Sequence, residues 1–258
     1  MVAGNFDEPA SLDAAFKGAS AIFSVTDYWI LYGSLLARQQ SSANGQSTML
    51  LAKEKEIQQN KNIIDAAAKV ETLERFIFSS LPNTEKLSGG KYSHKTSVLY
   101  AGFFLENYLK PDASAYRPKL DNTKNTLSLA AVGTVHLPMF SAKANTGPIV
   151  HALIREAAGQ KVIASNTWLT FQDFARTLAI VLSKDIEFTN EQPSFNISDP
   201  ELGQNFADMM GWYIEFNYDG SKVDKSVIQP KDLGVESHLM SVEEWCRKQD
   251  WERILDVT

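Results

Sequence analysis

The feature that most constrains this chain is a pattern in its first hundred residues: short runs of β-branched and aromatic residues set around one long amphipathic stretch. Ala21-Ile22-Phe23-Ser24-Val25 and Arg75-Phe76-Ile77-Phe78-Ser79 are two such runs, and Ser97-Val98-Leu99-Tyr100 is a third. Apolar runs of about four to eight residues, bounded by turn residues, fit strands covered on both faces. Between the first two runs, residues 54–70 place Ile57, Ile64, Ala67 and Ala68 near one face of a helix. Strand, helix and strand at this spacing predict a parallel α/β sheet.

Shorter signals complete the layout. Residues 1–4 are a brief apolar stretch, and Asn5-Phe6-Asp7-Glu8-Pro9 is a turn. Residues 11–16 predict a short helix with Leu12, Ala15 and Phe16 on one face, ended by Gly18. Thr26-Asp27-Tyr28-Trp29 leaves the carboxyl end of the first buried strand, and residues 39–45 are polar enough for an exposed loop or a loose helix. In the second half we expect strands at 126–131 and 161–164 and helices at 146–157 and 200–216. Thr170 can cap a helix that turns Phe171, Phe174, Ala175, Leu178, Ala179 and Leu182 inward. Ser241 and Glu244 have the spacing of a capping box for a last short helix. There is no internal repeat.

Composition narrows the function classes. The 258 residues, 44% hydrophobic, suit one domain or one domain with a small lobe. A net charge of -6 without a basic cluster carries no electrostatic footprint for nucleic acid or for an anionic membrane. Cys246 is the single cysteine, so no intrachain disulfide and no cysteine-built metal site is possible. His94, His136, His151 and His238 are scattered without metal spacing. The first residues lack a secretory pattern, and no apolar run approaches the ~18 residues of a spanning helix. The expectation is a soluble protein of the cytoplasm, or of the nucleus.

Several stretches carry a family resemblance. Asn5-Phe6-Asp7-Glu8-Pro9-Ala10-Ser11-Leu12, Phe23-Ser24-Val25-Thr26-Asp27-Tyr28-Trp29 and Gln59-Asn60-Lys61-Asn62-Ile63 are three of them. Phe76-Ile77-Phe78-Ser79-Ser80-Leu81-Pro82-Asn83 is the most distinctive, continued by Ser88-Gly89-Gly90-Lys91-Tyr92 and Gly102-Phe103-Phe104-Leu105-Glu106-Asn107. Together they resemble the NmrA-like group of the short-chain dehydrogenase/reductase superfamily, with a weaker likeness running on to Trp245 and Trp251. The resemblance implies an α/β fold: an incomplete Rossmann-like parallel sheet over residues 1–125 and a smaller α+β carboxyl-terminal lobe over 126–258, interleaved with it. In such sheets ligands lie beyond the carboxyl ends of the strands.

The resemblance also implies NADP(H) as cofactor and assigns residues to it. Asn5 and Phe6 would lie near the adenine, and Thr26, Asp27 and Tyr28 along the pyrophosphate and ribose. Ser79 and Ser80 would follow the next strand, and Phe104, Leu105, Glu106 and Asn107 would approach the nicotinamide. From the residues alone, Ser79 and Ser80 end a strand and start a turn, and the resemblance raises a ligand contact to an equal reading; Glu106 and Asn107 equally well cap a turn, and Phe104 reads more readily as core. Trp212, Tyr213, Phe216 and Tyr218 read as packing or as one wall of a substrate cleft. Nothing marks Cys246 as reactive.

Two departures from the family pattern bear on activity. No G-x-G-x-x-G turn occurs anywhere in the chain, so the backbone cradle for a pyrophosphate, expected before Asn5 together with the first two strands, is absent. Without those strands the 21–25 strand is expected to be an open edge, a surface for a second chain and so for a homodimer. Between Tyr92 and Ser97 the chain also lacks the family's lysine-bearing segment and crossover helix. Tyr92 is not followed by the superfamily's Tyr-x-x-x-Lys spacing, and Lys95 is a weak substitute. No catalytic residue and no metal ligand is assigned. The readings carried forward are an NADP(H)-dependent oxidoreductase acting on a small molecule, a non-catalytic NADP(H)-sensing regulator of a protein partner, and an inactive fragment.

Overall fold

The structure is a computed structural model that describes residues 2–37, 47–80, 96–110, 117–121, 123–130, 135–189, 203–204, 209, 212–222 and 224–255. It is a mixed α/β fold with a parallel, Rossmann-like central sheet, and it divides into two compact units. One comprises residues 1–80 and 84–98, the other residues 81–83 and 99–258.

The first unit begins with α1 (Pro9–Phe16), β1 (Ala21–Ser24), α2 (Tyr28–Ala37), α3 (Thr48–Ala68) and β2 (Arg75–Ser80). β1 and β2 pair in parallel, with Ile22 opposite Phe76 and Ser24 opposite Phe78. α3 supplies Ile63, Ala66 and Ala67 to a small core with Leu12, Ile22, Phe76 and Phe78. Its amino terminus is capped by Ser47, whose Oγ accepts from the Leu50 amide at 3.2 Å. The strand–helix–strand expectation therefore holds for this unit. α2 was not expected. Tyr28-Trp29-Ile30-Leu31-Tyr32 is apolar on every side, so it has no helical period to detect. The side chain that starts it is Asp27, whose Oδ1 accepts from the Ile30 amide at 3.0 Å.

The strand β3 (Thr96–Tyr100) leads the chain into the second unit. There follow β4 (Phe103–Phe104), β5 (Lys119–Asp121), β6 (Thr126–Ala130), β7 (Leu137–Phe140), α4 (Ala142–Arg155), β8 (Lys161–Ile163) and β9 (Thr167–Leu169). The unit ends with α5 (Phe171–Leu182), β10 (Asp185–Thr189), β11 (Val227–Ile228), α6 (Val242–Arg247) and α7 (Trp251–Leu255). β8 and β11 are parallel, and the Ala164 amide donates to the Tyr100 carbonyl at 2.7 Å. Two small mixed sheets, β10-β6-β5 and β4-β7-β9, complete the unit. Its core gathers Leu105, Tyr108, Leu127, Met139, Phe174, Leu178, Trp245 and Trp251.

Local signals explain most of these elements. Thr170 caps α5 in a full capping box: its Oγ accepts from the Asp173 amide at 3.0 Å, and the Asp173 carboxylate accepts from the Thr170 amide at 3.1 Å. The expected capping box at Ser241 is only half formed. Ser241 Oγ accepts from the Glu244 amide at 3.0 Å, but the Glu244 carboxylate takes the Lys248 ammonium at 2.8 Å. α4 starts earlier than expected, at the cap Ser141, because Gly147-Pro148 reads as a first turn and the structure instead carries Pro148 inside the helix. Of the helix expected at 200–216, residues 212–216 are helical and most of the rest lie outside the described residues. The expected loop at 39–45 and the stretch from Leu81 to Lys95, with Tyr92, His94 and Lys95, lie outside them too. Among the described residues no helix is long and apolar enough to cross a membrane.

Candidate functional site

The candidate residues fall into two groups. Asn5, Phe6, Thr26, Asp27, Tyr28, Ser79 and Ser80 belong to the first unit, and Phe104, Leu105, Glu106 and Asn107 to the second.

In the first unit, the strand-end loops are held by one face of α3. The Asn62 side-chain amide donates to the Phe6 carbonyl at 2.8 Å, and Gln59 donates to the Asp7 carboxylate at 3.0 Å. One turn earlier, the Thr26 hydroxyl donates to the Glu56 carboxylate at 2.9 Å and accepts from Asn60 Nδ2 at 3.1 Å. Glu56, Gln59, Asn60 and Asn62 therefore tie the 5–7 turn and the 26–28 loop to the same helix, which brings Asn5, Phe6, Thr26 and Asp27 into one framework. The Gln59-Asn60-Lys61-Asn62 stretch, which carried part of the family resemblance, is the piece that makes the ties.

Within that framework the polar groups are largely engaged. Asn5 donates to Glu8 at 2.9 Å and accepts from the Asp7 amide at 3.1 Å, while its backbone amide donates to Ser11 Oγ at 2.8 Å. Asp27 caps α2, and the Tyr28 hydroxyl donates to the Met49 carbonyl at 3.3 Å. Tyr28 also stacks on Tyr32 and meets the edge of Trp29. Ser79 and Ser80 are the half-buried last residues of β2. At the end of β1 the buried Ser24 hydroxyl has no hydrogen-bond partner among the described residues.

In the second unit, Glu106 caps α4 across 35 residues of sequence. Its carboxylate accepts from Ser141 Oγ at 2.6 Å, from the Ala142 amide at 3.0 Å and from the Lys143 amide at 3.3 Å. A carboxylate at a helix amino terminus is favoured both by the exposed amides and by the helix dipole. Leu105 is fully buried in the core. Phe104 lies 5.5 Å, ring centre to ring centre, from Phe140. Asn107 is half-buried, and its carbonyl accepts from the Lys110 amide at 3.2 Å to close a turn.

The remaining candidates have plain surroundings. Tyr213 and Tyr218 stack at 4.6 Å, and Trp212 and Phe216 at 4.3 Å. Burial pushes the Tyr213 phenol up to about 12. Burial, aided by the Glu243 charge, likewise pushes the Cys246 thiol up to about 12, so it stays protonated and unreactive at neutral pH. Among the described residues, no three of His, Cys, Asp and Glu come together as a metal set.

With the geometry established, comparison with known proteins identifies the relatives. Residues 1–97 match the model of the NmrA-like family. That amino-terminal stretch is similar to the family. Its fold matches NmrA, "a negative transcriptional regulator", with a TM-score of 0.67 at 14% identity, covering 97% of this chain and 80% of that one. NmrA in complex with NAD matches with a TM-score of 0.65 at 15% identity, over 97% of this chain and 80% of that one. NmrA in complex with NADP matches with a TM-score of 0.62 at 15% identity, over 95% and 78%. At such identities the structural likeness establishes the fold, and function does not travel with it.

The dinucleotides bound in two of those solved structures set a test for the residues of this chain. The framework around Asn5, Phe6 and Thr26, with a buried Ser24 hydroxyl unpaired among the described residues, lies at strand ends, where an adenosine and its ribose would be held in such a sheet. For the pyrophosphate, the chain has no glycine-rich turn to let a backbone approach it.

Proposed function

We propose that this NmrA-like chain is a dinucleotide-responsive regulator that acts on a protein partner and does not turn over a substrate. The observation that carries this reading is the α3 framework: a preformed set of strand-end loops whose hydroxyls, amides and carboxylates are already engaged with one another. Such a surface can receive the adenosine end of NADP(H) or NAD(H) without reorganising. It has little left with which to move a proton. A bound nicotinamide would supply hydride chemistry, and the described residues would supply orientation alone. Asn5, Phe6, Thr26 and Asp27 are the contacts proposed for the adenosine side. Glu106 is proposed to act through the helix it caps. That NmrA is a negative transcriptional regulator with NAD- and NADP-bound forms supports the regulatory reading over the oxidoreductase one.

The test is a titration of the purified chain with NADPH, NADP+, NADH and NAD+, followed by tryptophan fluorescence and melting temperature. Saturable binding that raises the melting temperature is expected for at least one of them. Asn60→Leu removes the donor to Thr26 and is expected to weaken that binding by about tenfold, the scale of one well-placed hydrogen bond. No consumption of NADPH is expected with a panel of quinones and enones. Turnover above the enzyme-free rate, or failure of all four dinucleotides to bind, overturns the reading.

A further inference from the structure

The second unit holds a cleft of about 490 Å³ that none of the candidate residues above accounts for except Tyr213. Its volume lies in the range of small-molecule sites, roughly 300–1,000 Å³. Trp168 and Tyr213 give it aromatic walls, and His136, Lys222, Asn217 and Gln229 give it polar ones. All belong to one unit, on β9, on the turn before β7, on the 212–216 helix and on the segments that follow it.

The walls are fixed from behind. Gln229 Oε1 accepts from Trp168 Nε1 at 3.1 Å and from Ser165 Oγ at 3.0 Å. Both bonds fall on the carbonyl end, which sets the indole in place and leaves the Gln229 amide hydrogens as donors. Tyr213 is held by its stack on Tyr218. Lys222 donates to the Ile214 carbonyl at 2.6 Å, which pins the ammonium at the rim with further donors to offer. Asn217, in the left-handed region at φ 64°, donates to Ser221 Oγ at 3.0 Å and keeps its carbonyl on the other side.

The charge of the cleft is one-sided. Among the described residues its lining contains one ammonium and one imidazole and no carboxylate. The carboxylates nearest in sequence, Glu215, Asp219 and Asp224, are not part of that lining; Asp219 is buried, with one oxygen accepting the Ser221 amide at 2.9 Å, and Asp224 accepts from Lys161 Nζ at 2.9 Å. Aromatic walls, amide donors and a cation that no carboxylate opposes among the described lining residues together suit a flat, apolar body that ends in a negative group. We propose that this cleft binds a small aromatic carboxylate, its ring between Trp168 and Tyr213 and its carboxylate on Lys222.

The test uses the full chain and three probes: 1-naphthoate, the uncharged 1-naphthamide of the same shape, and cyclohexane carboxylate, which keeps the charge but not the flat ring. Binding is followed by calorimetry and tryptophan fluorescence. Saturable binding of 1-naphthoate is expected, with the amide and the alicyclic acid each weaker by about tenfold. Lys222 is exposed, so Lys222→Met should fold normally, with an unchanged melting temperature, and should lose about tenfold in naphthoate affinity while amide affinity stays the same. Equal binding of acid and amide, no saturation by 1-naphthoate, or an unaltered naphthoate affinity in Lys222→Met would each overturn the assignment. A saturating concentration of dinucleotide should leave naphthoate binding in place, which keeps this result separate from the fate of the proposed regulatory function.

Discussion

In the second unit a large aromatic cluster forms inside, where Tyr108 stacks on Phe174 at 3.7 Å and Trp245 and Trp251 close over it from α6 and α7, while Ile180, Trp212 and Ile214 stay exposed. In the first unit several of the largest face out. Phe23 is 39% exposed, Val25 50%, Trp29 51% and Ile30 69%, around a core made mostly of small and medium side chains on α1, α3 and the two strands. Each fully buried aliphatic or aromatic side chain is worth about 1.5–3 kcal/mol, so the second unit draws more of its stability from its own core. The first unit is organised by polar ties from α3 and keeps apolar surface in reserve. Surface of that kind on a folded unit marks a place for a ligand or another chain. The contrast sets a large aromatic core in the second unit against a smaller core held by polar ties in the first, and the following substitutions test it.

The largest effect is expected at Gly102, in the second unit. A Cβ there would run into the carbonyl oxygens of Ala164 and Pro138, both backbone atoms that cannot turn aside. Gly102→Ala should cost about 3 kcal/mol, the upper end of overpacking in a tight core. Urea denaturation followed by tryptophan fluorescence measures it. A variant as stable as the parent would show that the second unit is not the tightly packed partner in the comparison.

Glu106→Ala comes next. It leaves the amides of Ala142 and Lys143 without their carboxylate and should cost about 2 kcal/mol, the range of hydrogen bonds to a charged group. Dinucleotide affinity should remain as in the parent once stability is allowed for. A selective loss of that affinity in a variant that melts normally would move Glu106 from scaffold to site. Thr170→Ala is expected to cost about 1 kcal/mol through its helix cap. It also has a signature in pH. The Thr170 hydroxyl, donating to Asp173, is the main cause that holds that carboxyl below its ordinary 3.8. A carboxyl lowered in the folded state contributes stability that is complete above its unfolded value and is lost as pH falls through the folded one. The parent should therefore lose stability below about pH 4 more steeply than Thr170→Ala. Equal acid slopes would remove Asp173 from the account.

Much of this was legible in the sequence, and the parts that were not share a cause. The strands at Ile22 and Phe76, the helix between them and the cap at Thr170 rest on neighbours in sequence, so composition and spacing reveal them. α2 escaped because Tyr28-Trp29-Ile30-Leu31-Tyr32 has no polar face to set a period. Glu106 read equally well as a turn cap or a ligand contact, because the helix it caps begins 36 residues later. The ties from Gln59 to Asp7 and from Asn62 to Phe6 span more than fifty residues. Family resemblance pointed to those positions, but only the fold shows that they hold the strand-end loops in place.

The smallest effect on stability is expected at the edge of the first unit, where it says the most about partners. Among the described residues β1 is the terminal strand of its sheet, with β2 beside it. Ile22 is buried, and Phe23, pointing to the opposite face, is not. An unpaired strand edge that carries apolar side chains is a template for a further strand, and natural edges are protected by lysine. Phe23→Lys should therefore change the unfolding free energy by no more than about 0.5 kcal/mol, as exposed substitutions do. Its consequence should appear in sedimentation: if the edge recruits a second copy, the parent self-associates with rising concentration and the variant stays monomeric. If parent and variant sediment alike as monomers while stability is unchanged, the exposed face is free for a different protein, and capture of that partner should fail with Phe23→Lys. A large loss of stability would place Phe23 in the core and erase the difference in packing between the two units.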